Sequence, residues 1–259
     1  MPADLAGQQR NSPAAPIDWL IESGSAVLVA GGTAPHRSML LRLLAGFESP
    51  ASGRIEYILA NGGKFRAAES GNLRTGFLPP PGEETFVGAT VEQELSFCLP
   101  EGIIASERLA RLEAGFGVEF RSRAGRSVWS LSDGERRLLS LVSQALAEPG
   151  VWFCDEPLAM LDGRHTKAVL SFLAGESRRG VTVVAAAAGA GRLIGWAGSV
   201  FILSSNGGVL FSGDSDSITE GLSGEAGCCH PLIRKLAAAG IDSGAADRRT
   251  EGGPATPGG

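Results

Sequence analysis

The sequence predicts an α/β fold built on a mainly parallel sheet. Short apolar runs rich in β-branched residues alternate with stretches of helical spacing, the pattern of repeated strand–helix units. One run leads through a glycine-containing loop into a helix, over residues 26–45. Another, Val151–Cys154, ends directly in two carboxylates, and such strand ends face the ligand crevice in open α/β sheets. A hydrophobic content of 43% is ample for the core of one such domain.

Strands are predicted wherever an apolar run is bounded by turn residues. These strands are residues 26–30, 54–59, 75–78, 151–154 and 181–187, followed by a hairpin of 200–203 and 209–211. Asn206 and Gly207 supply the turn of that hairpin. The sheet is therefore expected to be parallel apart from its final strand.

Helices are predicted over the middle of the chain, from about residue 89 to residue 148. Ser106 is expected to cap a helix with one apolar face, formed by Leu109, Leu112 and Phe116. A last helix is predicted from Pro231 to Ala239, because it opens with proline and is followed by glycine.

The folded part is expected at residues 17–222, with a C-terminal helical extension at 223–242. Residues 1–16 and 243–259 lack periodicity and are predicted to be disordered tails. The net charge of −5, without a clustered basic patch, argues against a nucleic acid partner. No secretory signal and no strongly apolar run of ~20 residues is present, so a cytoplasmic protein is expected.

The loop from Gly31 to Ser38 has the form of a phosphate-binding cradle, G-x-x-x-x-G-K-[ST], with several replacements. Pro35 has no N–H to offer a phosphate. His36 stands in the place of the second glycine, and Arg37 keeps the charge of the lysine in a larger, planar group. Losing two charge-assisted hydrogen bonds costs roughly 3–6 kcal/mol, or about a hundred- to ten-thousand-fold in affinity. We therefore interpret the loop as an impaired nucleotide site.

The segment Leu131–Arg137 (LSDGERR) opens a helix. Ser132 and Glu135 have the spacing of a capping box, and an apolar helical stripe follows them. The N–H groups at such a helix start favour an anion. Taken alone, the segment favours a simple well-capped helix.

The segment Val151–Pro157 (VWFCDEP) is a buried strand followed by two carboxylates. Asp155 is placed to hold Mg²⁺, and Glu156 to orient or deprotonate an attacking water. The alternative is that both are exposed turn residues.

Together, and in this order, these segments resemble the ATP-binding cassette (ABC) family, the nucleotide-binding subunits of membrane transporters. The matching parts are a degenerate Walker A loop at Gly31–Met39, the signature LSDGE, the Walker B stretch VWFCDEP and a D-loop at Leu158–Asp162. The resemblance covers roughly residues 17–240 and implies a P-loop NTPase core of mainly parallel sheet. It also implies an inserted helical subdomain at about 89–148. The family begins with antiparallel strands, but this chain enters almost directly at Ile17–Leu20, so these strands are expected to be truncated. Two stretches, TVEQELSF and HPLIRKLAAAG, resemble the cobalt and energy-coupling-factor importer branch.

The resemblance implies a role for each site residue. In the chain's own site, Gly31, Arg37 and Ser38 are expected to bind the nucleotide. Asp155 and Ser38 are expected to bind the metal, and Glu156 is the expected catalytic residue. ATP held by a partner subunit is expected to be contacted by the signature residues Leu131, Ser132, Gly134 and Glu135 and by Asp162 of the D-loop.

Three positions depart from the family pattern. Pro80 stands where the family has a glutamine, and Ala188 where it has a switch histidine. Trp19 is poorly placed to replace the aromatic residue that stacks on adenine, so it is expected to pack in the core. These departures add to the expected impairment of the chain's own site.

The sequence thus predicts a degenerate ATP-binding subunit of an ABC importer, active with a second, intact ABC ATPase and integral membrane subunits. ATP and Mg²⁺ would bind mainly at the partner's site, and the subunit would lie on the inner face of the membrane through its partners. Two alternatives stay open, a non-catalytic scaffold or regulatory protein and a weakly active ATPase. Whether the chain alone is an enzyme is left undecided, as is the transported substrate.

Overall fold

A computed structural model describes residues 17–58, 62–67, 74–97 and 106–215. The strands are β1 (Ala26–Gly31), β2 (Glu56–Ile58), β3 (Lys64–Arg66), β4 (Thr75–Leu78), β5 (Val151–Asp155), β6 (Thr182–Ala186), β7 (Ser199–Leu203) and β8 (Val209–Asp214). The α-helices are α1 (Ala34–Ala45), α2 (Val91–Ser96), α3 (Glu107–Phe116), α4 (Asp133–Leu146) and α5 (Gly163–Arg178). The two predicted tails, the extension at 223–242 and the helix predicted at Pro231–Ala239 lie outside the described residues.

A six-stranded sheet with the order β4-β5-β6-β1-β7-β8 organises the described chain. Its strands pair in parallel except for β8, which runs antiparallel to β7. Strand β6 lies between β1 and β5, and both Val29 and Asp155 pair with Ala186. The carboxyl ends of β1, β5 and β6 therefore meet at one edge of the sheet, where the predicted site residues follow them.

The predicted α/β class with a mainly parallel sheet is confirmed. The expected strand at 54–59 is shorter, because Glu56–Ile58 pairs only with β3 in a separate two-stranded sheet. The sequence reasoning missed β3, whose three residues are too few for a periodic signal. Residues 17–25 hold no strand, and Trp19 stacks on Phe201 with ring centroids 3.9 Å apart, as its predicted packing role requires.

The helices between residues 91 and 146 pack against one another over buried apolar side chains. The predicted cap of α3 is wrong in its mechanism, since Ser106 occupies the N-cap position but its hydroxyl makes no capping bond. Helix α3 is stabilised instead by burial of Leu109 and Phe116, as is usual for short helices. Within the described ranges, no helix has the length and apolar character needed to cross a bilayer.

Candidate functional site

The residues after β1 form the start of an ordinary capped helix. Thr33 is the N-cap residue of α1, and its hydroxyl accepts a hydrogen bond from the His36 N–H at 3.4 Å. Pro35 lies in the first turn, where a missing N–H costs little. The signal for this helix start was present in the sequence, since a threonine two residues before a proline is typical of a helix start, but it was not used in the prediction.

Three backbone donors of the loop after β1, those of Gly32, His36 and Arg37, are engaged within the chain. The Gly32 N–H donates to the Leu203 carbonyl at 2.8 Å, and the Arg37 N–H donates to the Thr33 carbonyl at 3.2 Å. The His36 N–H is held by the cap of the same helix. A phosphate cradle depends on successive N–H groups that point inward and are free to bind an anion. These amides do not meet that condition.

Arg37 folds back onto the chain's own groups. Its guanidinium is 5% exposed and donates from Nη1 to the Gly31 carbonyl at 2.9 Å. Nη2 donates to Glu156 Oε1, also at 2.9 Å. The predicted phosphate-binding cation is therefore paired with the predicted catalytic carboxylate.

Glu156 is held by its backbone as well as by its side chain. Its φ of 48° lies in the left-handed region, which is strained for a residue other than glycine. Its N–H donates to the Ala186 carbonyl at 2.7 Å, and its Oε1 accepts the Ala188 N–H at 2.6 Å. The Arg37 guanidinium and the Ala188 N–H therefore both donate to Oε1 of Glu156, and Ala188 contacts Glu156 through its backbone.

Asp155 and Ser38 form a pair that fits Mg²⁺. The Ser38 hydroxyl hydrogen-bonds to the Asp155 carboxyl, which is buried at the end of β5. Burial raises the pKa of Asp155, and the bond from Ser38 opposes that shift. Asp155 Oδ2 has no hydrogen-bond partner among the described residues. A buried carboxylate oxygen without a partner, next to a hydroxyl, matches the oxygen ligands that Mg²⁺ prefers.

The signature segment forms the predicted capping box at the start of α4. The Ser132 N–H donates to Glu135 Oε2 at 2.9 Å, and the Glu135 N–H donates to Ser132 Oγ at 3.3 Å. These bonds, together with Arg123, lower the pKa of Glu135. Ser132 is exposed, whereas Leu131 is buried in the core and anchors the segment.

The signature and the predicted D-loop contact each other within this chain. A Cβ on Gly134 would lie 2.8 Å from the carbonyl oxygen of Met160, whose φ is 64°. Asp162 caps α5 by accepting the His165 N–H at 2.9 Å, and this bond lowers the pKa of its carboxyl. The predicted site residues thus form two clusters. Arg37, Ser38, Asp155 and Glu156 form the first, and the signature with the D-loop, which holds Met160 and Asp162, forms the second.

Arg137 joins the two clusters, although it was not among the residues predicted from the sequence. It is 1% exposed and its guanidinium donates to the carbonyls of Pro79, Asp155 and Glu156 and to Glu84 Oε1. Burial lowers the pKa of Arg137, and the neighbouring Glu84 opposes that shift. An arginine adjoining the apolar stripe of a helix was the available signal, but its partners lie 18 to 58 residues away.

Several known proteins are similar to this chain in sequence. The energy-coupling factor transporter ATP-binding protein EcfA1 of Mycoplasmopsis pulmonis is 28% identical over 173 residues, 63% of this chain and 64% of that protein. The match to EcfA2 of Thermotoga maritima is also 28% identical and covers 63% of that protein, so the chain spans less than two thirds of either relative. The hemin import ATP-binding protein HmuV of Nitrobacter winogradskyi is 28% identical over 214 residues, 80% of this chain and 79% of that protein.

Comparison with solved structures and with family sequences agrees with these similarities. The structure of cbiO1 from Clostridium perfringens, part of the ABC transporter complex cbiONQ, superposes with a TM-score of 0.61 at 21% identity. That match covers 85% of this chain and 86% of cbiO1, and it supports the fold. The sequence model of the ABC transporter family matches residues 15–159, more than half of the chain. The chain therefore belongs to the ABC transporter family and carries that family's ATP-binding domain.

Proposed function

We propose that this chain is a degenerate ATP-binding subunit of an energy-coupling-factor-type importer, and that its signature segment completes an ATP site on an intact partner ATPase. One asymmetry carries the proposal. Arg37 and Glu156, which would serve the chain's own nucleotide, are bonded to each other. Ser132, which would serve the partner's nucleotide, is exposed at a fully capped helix start.

The chain's own site supports binding of a metal better than hydrolysis. Asp155 and Ser38 would hold Mg²⁺, which supplies charge neutralisation of phosphates when it is bound. Glu156 would have to take a proton from the attacking water, but its Oε1 already accepts from Arg37 and from Ala188. Weak turnover through this site is the second candidate function, because the Asp155–Ser38 pair is in place.

The signature side supports binding of a partner's ATP. The N-terminus of α4 has the partial positive charge that favours phosphate. Two acidic side chains lie there, and each is paired with an arginine, Asp133 with Arg136 and Glu135 with Arg123. Local pairing therefore compensates the negative charge that would otherwise repel an anion.

The proposed complex contains a second ABC ATPase and integral membrane subunits, with ATP and Mg²⁺ mainly at the partner's site. In it, this subunit lies on the cytoplasmic side of the membrane and reaches the membrane only through its partners. The names of the similar proteins, two energy-coupling factor transporter ATP-binding proteins and one hemin import ATP-binding protein, support a role in a transporter. A scaffold or regulatory role is the alternative, and it requires no function of the signature.

The test replaces Ser132 in the complex assembled with its partner ATPase. Asp and Asn are both good N-cap residues, so Ser132→Asp and Ser132→Asn should each keep α4 capped. Only the aspartate places a negative charge at the proposed phosphate position. Gly134 is unsuitable, because any side chain there would meet the carbonyl of Met160 in the same chain.

We expect Ser132→Asp to lower ATP hydrolysis by the complex about 10²–10³-fold. The neutral Ser132→Asn is expected to lie within about tenfold of the wild type. Melting curves of both variants provide the folding control. If Ser132→Asp hydrolyses ATP as fast as Ser132→Asn, the signature is only a helix cap and the scaffold role is favoured.

A further inference from the structure

Arg37 carries a buried charge that forms an ion pair with Glu156, and its charge also opposes the rise that burial causes in the pKa of the nearby Asp155. A guanidinium taken out of water is costly unless it is paired and hydrogen-bonded. Its side chain is 5% exposed, and that of its partner Glu156 is 25% exposed. The same guanidinium also donates to the Gly31 carbonyl, so it fills the space between the loop and the carboxylate.

The contact joins two strand ends that are distant in sequence. Arg37 and Glu156 are 119 residues apart, and they follow β1 and β5 on the two sides of β6. Glu156 is further fixed by the Ala188 N–H, in the segment after β6. A single side chain therefore ties the Gly31 loop to the turn after β5.

The shape of the guanidinium explains how this is possible. A planar fork can donate to two acceptors at once from different nitrogens, whereas an ammonium is a compact point charge. A lysine at this position could bind the Gly31 carbonyl or Glu156 but would bridge the two poorly. Replacement of lysine by arginine thus turns a ligand-binding position into an internal connection.

We propose that Arg37 occupies the chain's own nucleotide site in place of a ligand and thereby inhibits nucleotide binding. Its guanidinium holds the Gly31 loop to Glu156, a contact that we name the Arg37 lock. The lock stabilises the domain without nucleotide and excludes Mg-ATP from the space that the guanidinium fills. This inference rests on the proposed impairment of the chain's own site and supplies its physical cause. It also assigns Glu156 a structural role, as the partner of Arg37, in a site that is proposed not to hydrolyse ATP.

The first test is a double-mutant cycle on the isolated full-length chain, read as melting temperature. Arg37→Met and Glu156→Gln should each lower it by roughly 5–10 °C, because each leaves a poorly paired buried group. The double variant should be no less stable than the worse single variant, since it removes both charges. The matched control is the exposed pair Arg42–Glu83, with Arg42 on the same helix. Arg42→Met and Glu83→Gln should each shift the melting temperature by at most about 3 °C, and additively.

The second test is calorimetric titration with Mg-ATP. The wild type should show no saturable binding up to about 1 mM, and Arg37→Lys should bind with a dissociation constant at least about tenfold below that limit. Arg37→Lys also keeps the test decisive if the methionine variant does not fold, because it keeps the charge and should lower the melting temperature by roughly 2–5 °C.

The outcomes separate the lock from the proposed function. Additive effects of Arg37→Met and Glu156→Gln overturn the lock, even if the wild type fails to bind Mg-ATP. Absence of binding to Arg37→Lys overturns the excluding role, and micromolar binding to the wild type overturns both the lock and the impaired site. A complex whose ATPase activity is indifferent to Ser132→Asp refutes the function in trans but leaves the lock standing.

Discussion

Gly88 lies where no side chain fits. A Cβ at this position would be 2.3 Å from the backbone nitrogen of Glu94, at the start of α2. The Gly88 N–H also donates to Glu94 Oε2 at 2.9 Å, so the two residues hold each other in place. At the scale of the single residue, glycine is required here because there is no space for a Cβ atom, and not because the backbone needs extra conformational freedom.

Gly88→Ala is expected to destabilise the chain by about 1–3 kcal/mol, because the backbone must shift to admit the methyl group. Gly115→Ala is the matched control, since that glycine is in α3 and nothing lies within 4 Å of its Cβ position. Alanine favours a helix interior, so this control should stabilise by about 0.5–1 kcal/mol. Denaturant unfolding of both variants measures the difference, and equal effects would contradict the close approach at Gly88.

At the scale of the element, α4 connects the signature to the end of β5. Its first turn holds the capping box, and Arg137 one turn further on binds the carbonyls of Asp155 and Glu156. The same side chain binds Glu84 and the Pro79 carbonyl, in the loop after β4. One helix thus determines the relative position of three segments.

Arg137→Met is expected to cost about 3–5 kcal/mol, because it leaves Glu84 and several carbonyls without their buried donor. Arg136→Met changes the neighbouring arginine, which binds the exposed Asp133 and the Leu131 carbonyl, and should cost only about 1–2 kcal/mol. Urea unfolding compares the two variants. A cost at Arg137 no larger than that at Arg136 would show that the buried contacts of Arg137 contribute little.

The capping box also predicts how stability depends on pH. The folded chain lowers the pKa of Glu135 through the Ser132 N–H and Arg123. An acid with a lowered folded pKa contributes stability above its unfolded pKa, near 4.3 for Glu, and loses it as the pH falls through the folded value. The difference in melting temperature between the wild type and Glu135→Gln should therefore be largest above about pH 5 and shrink below about pH 4. A constant difference across this range would mean that the charge of Glu135 does not stabilise the cap.

At the scale of the whole molecule, the two clusters of site residues differ in what they leave accessible. Arg37 and Glu156 bind each other, and the N–H groups of Gly32 and Arg37 donate to carbonyls of the same chain, whereas Ser132 at the signature is exposed. This difference supports the proposed function, in which the chain completes an ATP site on a partner.

We expect the isolated chain to hydrolyse ATP no faster than the Glu156→Gln variant, because Glu156 Oε1 is occupied by Arg37 and by the Ala188 N–H. Steady-state release of phosphate from Mg-ATP measures both rates under the same conditions. A wild-type rate well above that of Glu156→Gln would favour the weakly active ATPase.

The sequence by itself determined the features that depend on neighbours along the chain. Apolar runs gave the parallel strands, and the spacing of Ser132 and Glu135 gave the capping box of α4, because a cap is closed within four residues. The same local reasoning identified the replaced residues of the first loop. It failed at Ser106, because position at a helix start does not ensure that the hydroxyl makes the bond.

Only the tertiary structure decided which side chains meet across the sheet. The order of the strands places β6 between β1 and β5, and this order brings Arg37 to Glu156. The contacts of Arg137 and the approach of Gly134 to Met160 likewise join residues that no local spacing relates. Since strand order and packing fix these distances, the sequence indicated a damaged nucleotide site, whereas the fold showed its arginine and its glutamate bound to each other.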